Sequence, residues 1–339
     1  MPKKRAPTRF GLAGSGLLLA LLVCWSGSSI AATAPEPAAK LPVQHPVIAL
    51  MGIYAANAFA QTIARAAQRE ADVLGAQLIY SAPSTFGGSN QVPILDALLA
   101  RRANAIIVDL DNSTELNPTL RRIKAAGIPI INIDNATNDL SLVDSFIGVN
   151  GVEAGKVAGQ AMGKLIHGKG KVGVIGVAPG NETSEGRING FLAGLKGYPG
   201  ISVVATEYAG ESQAGGASAA TALLTRYPDL RGVFCATGII AGGAGRAVVI
   251  AGEKGKVIVV GFDAPPPEVK LMREGIVSAT VMQQPRLYGK LSVEYAYDEV
   301  EGKASLVKKL VHPPAIPATA ADIDSPEIRK FWYTFGEAR

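Results

Sequence analysis

From residue 47 onward, short apolar runs alternate with longer segments in which apolar residues recur every three or four positions. The short runs have the length of buried strands, and the longer ones have the period of amphipathic helices. The pattern predicts strand 47–54, helix 58–74, strand 77–81, helix 91–101, strand 105–109, helix 116–126 and strand 130–133. After 145–148 it begins again with helix 152–167, strand 171–176, helix 184–196, strand 202–208, helix 213–227, strand 232–235, helix 241–251 and strand 257–262. Such alternation specifies an α/β protein whose parallel sheets are covered by helices on both faces. Its repetition predicts two similar lobes, one after the other.

The end of each series repeats most clearly. Ala105-Ile-Ile-Val-Asp109, a helix and then Ile130-Ile-Asn-Ile-Asp134 parallel Gly232-Val-Phe-Cys235, a helix and then Val257-Ile-Val-Val-Gly-Phe-Asp263. Asp134 and Asp263 each follow the carboxyl end of an apolar strand. Open α/β sheets bind ligands in the crevice outside those ends, so two facing lobes would place both carboxylates in one cleft. An aspartate at a strand exit also caps turns. The repeated placement favours a ligand role, because two carboxylates can accept hydrogen bonds from hydroxyl or ammonium groups.

The amino terminus changes the picture of where the chain works. Lys3, Lys4, Arg5 and Arg9 precede the nine-residue apolar run from Leu17 to Trp25, and small residues follow at 28–34. That is the pattern of an export signal over residues 1–31, since nine apolar residues fall far short of the roughly 20 that span a bilayer. Cleavage after Ala31 is favoured over Ala34, which would leave Pro35 first. A lipid anchor at Cys24 would need a small residue before it, and Val23 stands there. Residues 32–45, with Pro35, Pro37 and Pro42, make a flexible lead-in. The formal charge of +5 falls to +1 once the four basic residues of the signal are gone. No basic tract remains to neutralise phosphates, so nucleic acid is not an expected partner. Cys235 is left without a second cysteine, and His45, His167 and His312 have no metal-ligand spacing. Neither a metal nor a cofactor is expected. About 300 mature residues suit two domains.

Catalytic machinery is not visible. The glycine-rich stretches 173–180 and 242–245 lack the spacing of a dinucleotide or phosphate-binding loop. There is no Gly-x-Ser-x-Gly elbow and no ordered Ser-His-Asp set.

Seven segments together resemble the ribose/galactose-type periplasmic sugar-binding proteins over nearly the whole mature chain. They are Val47-Ile-Ala-Leu, Asn57-Ala58-Phe59, Ala67 to Gly75, Ala126 to Asp134, Arg187-Ile-Asn-Gly-Phe191, Val259-Val-Gly-Phe-Asp263 and Ala279-Thr-Val-Met-Gln283. The resemblance implies two Rossmann-like lobes with parallel sheets joined by a three-strand hinge, the type I arrangement. It implies one lobe at 46–149 with 284–310 and the other at 150–283 with 311–339. The implied hinge lies near 148–150, 282–285 and 311–314. It implies polar ligand contacts at Asn57, Asp134, Arg187, Asp263 and Gln283 and a stacking aromatic at Phe59. Other positions depart from the family pattern. Ala60 replaces a second aromatic, Asn135 an arginine, Glu211 an aromatic, and Thr237-Gly238 an Asn-Asp pair. Tyr54 or Tyr208 could restore an aromatic face.

The expectation is therefore a monomeric periplasmic receptor for a small polar ligand, with a sugar, cyclitol or polyol leading. Its partner is an ABC importer or, alternatively, a membrane sensor. A rival from another class is an exported enzyme using Asp134 and Glu211 as an acid and base pair. Amino-terminal sequencing of protein from a periplasmic extract should begin near Ala32; recovery of the intact terminus would remove the export reading.

Overall fold

The computed structural model describes residues 45–333; the expected signal at 1–31, nearly all of the lead-in at 32–45, and residues 334–339 lie outside the described residues. Two sheets of mostly parallel strands carry the fold, in agreement with the α/β class expected from the pattern. The first contains β1 (Val47–Met51), β2 (Gln77–Ser81), β3 (Ala105–Asp109), β4 (Ile130–Ile133), β5 (Ser145–Ile147) and β11 (Leu310–Val311), in the order β11-β5-β4-β3-β1-β2. The second contains β6 (Lys169–Gly176), β7 (Gly200–Tyr208), β8 (Leu230–Cys235), β9 (Ile258–Phe262), β10 (Ala279–Met282) and β12 (Ile316–Thr319), in the order β12-β10-β9-β8-β6-β7. Only β12 runs antiparallel to its neighbour. Central strands such as β3, β4 and β10 are buried at every position, which is why they appear in the sequence as mostly apolar runs without polar alternation.

Helices α1 (Ala58–Leu74), α2 (Gly88–Ala100) and α3 (Asn117–Ala125) follow the strands of the first sheet. Helices α4 (Gly151–Leu165), α5 (Glu182–Leu195), α6 (Gln213–Arg226), α7 (Gly238–Ile250) and α8 (Pro266–Arg273) belong to the second. Then α9 (Pro285–Val300) returns to pack on α1, so closely that a Cβ at Gly289 would meet the Ile63 carbonyl at 2.3 Å. The chain thus crosses between sheets three times, at 148–150, 283–284 and 312–315. The first sheet reaches Val311, one residue past the boundary expected at 310, because Val311 pairs with Ile147. The short α10 (Pro326–Arg329) follows β12.

Strand β1 ends at Met51, three residues earlier than expected. Past Gly52 the chain leaves the sheet, with the Ala55 N–H donating to the Pro83 carbonyl at 2.8 Å. That departure frees Tyr54 and Asn57 for the strand ends. Asn57 then starts α1, its side-chain oxygen accepting from the Ala60 N–H at 3.1 Å, and Gly75 ends the helix at a φ of 69°.

Helices α4 and α5 touch through glycines. A Cβ at Gly155 would lie 2.0 Å from the Arg187 carbonyl oxygen, and one at Gly190 would lie 2.0 Å from the Val152 carbonyl. Gly159 and Gly194 continue the same close contact. The obstacle is backbone in each case, which cannot rotate away. The contact fixes the height of α5 and so the place of Arg187. Gly155→Ala should force the helices apart and cost about 1–3 kcal/mol in denaturant unfolding; an unchanged midpoint would show that the helices are not locked at this contact.

Candidate functional site

Asp134 and Asp263 sit one residue past β4 and β9, and both hold left-handed backbone, with φ of 59° and 75°. Each N–H still donates to the next strand, Asp134 to the Ile147 carbonyl at 3.0 Å and Asp263 to the Val281 carbonyl at 2.8 Å. The ladder therefore ends on a residue whose backbone turns sharply, by the same device in both lobes. Aspartate tolerates this conformation better than most side chains.

A cavity of about 70 Å³ lies at these strand ends. It is lined by ten of the residues singled out in the sequence: Tyr54, Asn57, Phe59, Asp134, Asn135, Arg187, Glu211, Thr237, Asp263 and Gln283. It continues into a cavity of about 280 Å³ that shares Asp134, Asn135, Arg187 and Gln283. On the other side a cavity of about 120 Å³ shares Asn57, Phe59, Glu211 and Asp263. Tyr208 does not line any of the three and is exposed at the end of β7.

Helix α5 delivers Arg187, whose first turn is capped by Asn181 accepting from the Ser184 N–H at 2.9 Å. The guanidinium lies 3.7 Å from the centroid of the Phe262 ring and donates to the Ala236 carbonyl at 2.9 Å. It stands 3.8 Å from Asp263 Oδ2. The other oxygen, Oδ1, accepts from Gln283 Nε2 at 2.9 Å and from the Tyr333 hydroxyl at 2.8 Å. Gln283 in turn accepts from the Tyr288 hydroxyl at 3.3 Å, and that hydroxyl accepts from the Val149 N–H at 2.8 Å. The Asp263 carboxylate is thus held by side chains from distant parts of the chain, Gln283, Tyr333 and Arg187. Asn135 accepts a hydrogen bond from Thr183. Thr237 caps α7, accepting from the Ile240 N–H at 3.4 Å.

The sequence missed Phe86, Asn181 and Thr183 on the cavity wall and Tyr288 and Tyr333 behind it. Phe86 meets Tyr54 edge to face with centroids 6.2 Å apart, which supplies an aromatic corner from a loop with no sequence motif. Gly238 has a steric cause. A Cβ there would fall 2.1 Å from Glu268 Oε2, so the buried Glu268 carboxyl excludes any side chain at 238. Burial raises the pKa of Glu268 well above the usual carboxylate value, and nearby Asp263 adds to this.

Three carboxyl groups share one guanidinium. Burial pushes the Asp134 pKa up to about 6 against the pull of Arg187, with Asp263 adding to the rise. Glu211 is pushed up to about 7, mainly by burial and then by Asp263, while Arg187 and Thr237 oppose the shift. Chemically, the site offers a fixed cation, ionisable acceptors and amide groups around a small space closed on one side by rings. That suits binding a molecule with several hydroxyl groups. Among the described residues no group of three potential metal ligands occurs. Likewise no described helix is long and apolar enough to cross a membrane.

The model of the family described as "Periplasmic binding protein domain" matches residues 48–304. The chain belongs to the periplasmic binding protein family. The D-allose-binding periplasmic protein of Escherichia coli (strain K12) is 29% identical over 256 residues, covering 73% of this chain and 82% of that protein. The ribose import binding protein of Salmonella typhimurium is 29% identical over 247 residues, with the same two coverages. Among solved structures, a solute-binding protein of an ABC transporter from Agrobacterium vitis, bound with α-D-tagatopyranose, superposes with a TM-score of 0.81 at 30% identity, covering 85% of this chain and 99% of that one. A periplasmic solute-binding protein from Actinobacillus succinogenes with bound D-allose gives 0.77 at 25% identity, covering 81% and 98%. All four are binding proteins, the two solved structures being solute-binding proteins of ABC transporters, and the family is periplasmic.

Raised carboxyl pKa values link the site to stability in this periplasmic binding protein. Asp134 and Glu211 hold their protons more tightly folded than unfolded, so their contribution is fully present below about pH 4 and is lost as pH rises through about 6 and 7. The ligand-free melting temperature should therefore fall between pH 5 and 8. Glu211→Gln should make that fall shallower and raise the value at pH 8 by roughly 2–4 °C per kcal/mol relieved. Parallel profiles for parent and variant would remove Glu211 from the cause.

Proposed function

We propose that the chain is a periplasmic receptor that captures a neutral polyhydroxylated ligand, a monosaccharide or cyclitol, between its lobes and presents it to an ABC importer. The observation that carries this is that the two strand-end aspartates and the residues drawn from the family resemblance line one cavity. Asn57, Asp134, Arg187, Asp263 and Gln283 offer both donors and acceptors, as a ring of hydroxyl groups requires. The relatives named for D-allose and ribose, and the structures bound with tagatose and allose, support the ligand class.

In this reading the lobes are 46–149 with 284–311 and 150–283 with 312–332, Tyr333 reaching back into the first. They close as a monomer about the three crossings, since a ligand touching both lobes binds the closed form better. The signal at 1–31 exports the chain and is removed. The receptor returns its ligand unaltered, and Asp134 and Glu211 act as acceptors. A second reading rests on one feature, the three carboxyl groups around a single guanidinium. That excess of acid suits an amine-bearing ligand such as an amino sugar.

Calorimetry with D-tagatose, D-allose, D-ribose, myo-inositol and D-glucosamine tests both. Binding of a neutral compound should weaken about tenfold or more in Asp263→Asn, which keeps the left-handed backbone and loses the charge-assisted bond. Glu211→Gln should change neutral ligands little and an amino sugar strongly. Mass spectrometry after incubation should recover the ligand unchanged. Affinity untouched by Asp263→Asn, or ligand turnover, would overturn the assignment.

A further inference from the structure

The family match ends at residue 304, yet the chain after α10 runs back into the site. Phe331 and Trp332 pack against the core of the second lobe, whereas Tyr333 is buried in the core of the first, with Phe59 and Tyr288. The Tyr333 ring lies 5.3 Å from that of Phe59, centroid to centroid. Its backbone N–H donates to the Ala264 carbonyl in the second lobe at 3.1 Å. Arg286, on α9 of the first lobe, donates to the carbonyls of Lys330 at 2.7 Å and Trp332 at 2.8 Å. Trp332 is held on the second-lobe side by guanidinium groups 4.6 Å away (Arg273) and 5.2 Å away (Arg329). Within four residues the chain is therefore tied to both lobes at a place that is not one of the three crossings.

The same segment reaches the acceptor at the centre of the site. The Tyr333 hydroxyl donates to Asp263 Oδ1 and accepts from the Gln283 N–H at 3.3 Å, and it is 2% exposed. With Oδ1 engaged twice, by Tyr333 and by Gln283, the carboxylate cannot rotate freely. Oδ2 is left towards Arg187 and the cavity.

We propose that residues 330–333 form a latch across the two lobes and that Tyr333 is a positioning residue that orients Asp263 for ligand, a role that rests on the binding site assigned above. The latch favours the closed arrangement before ligand arrives, because its contacts to the first lobe and to the second can both be kept only while the lobes are together. A ligand then meets a population already partly closed and binds with less loss to reorganisation.

Two experiments separate the latch from the ligand assignment. Small-angle scattering of the ligand-free protein needs no ligand. Tyr333→Ala should enlarge the radius of gyration, and so should Arg286→Gln, which releases the segment without opening a core cavity and serves if Tyr333→Ala does not fold. An unchanged radius in the folded variants overturns the latch whether or not any sugar binds. Calorimetry with D-tagatose, D-allose and D-ribose tests the positioning role by a double-mutant cycle. Tyr333→Phe should raise Kd about tenfold in the parent and have little further effect in Asp263→Asn. Equal losses in both backgrounds would mean that Tyr333 acts only through general stability, and that part of the proposal falls. If the parent binds none of the probes, the ligand assignment fails, and a larger ligand-free radius in the variants still upholds the latch.

Discussion

A single buried guanidinium organises this molecule. Arg187 faces Asp134, Asp263 and Glu211, lies on the Phe262 ring and is fixed by a backbone carbonyl at the end of β8. Burying a cation is tolerable only with well-placed partners, and its charge offsets part of what burial costs Asp134 and Glu211 beside it. Much of the architecture near the cleft serves that balance. The glycine contact between α4 and α5 sets where the arginine stands, and the left-handed strand ends of β4 and β9 set where two of the acids stand. The third acid is the one that departs from the family pattern, and the opposing pulls on its proton leave its charge near balance at neutral pH.

The alternation of strands and helices was legible because parallel strands covered on both faces leave apolar runs, as in β1 and β9. The paired strand-end aspartates were legible for a related reason. A polar residue closing an apolar run stands out twice when the lobe is repeated. What escaped was whatever lacked a period. β12 contains Pro317 and only one fully buried position, so it has no strand signature of its own. Phe86 lies in an irregular loop, and Tyr333 lies beyond any motif, so their contribution follows from chain trajectory alone. Tyr208 shows the converse: an aromatic at a strand end whose neighbours leave it at the surface.

Charge states were not legible either. A carboxyl group in a sequence carries its ordinary acidity, and only burial and neighbours change it. Glu268 illustrates how far this can go. It reaches the interior behind Gly238 and Gly261, among apolar strands, and its presence explains why 238 bears no side chain. The bare glycine at 238 is thus matched to a residue thirty positions away, whereas nothing in the structure explains threonine at 237.

The left-handed turns at Asp134 and Asp263 divide the site into a frame and a variable part. Most replacements at these two positions would strain the backbone as well as alter the contacts, by about 1 kcal/mol or more for the conformation alone. Asn135 and Glu211 carry no such backbone constraint, and Thr237 need only keep a side chain that can cap α7; these are where the chain departs from its family. The cleft wall can be rewritten one residue at a time around two positions that admit few side chains.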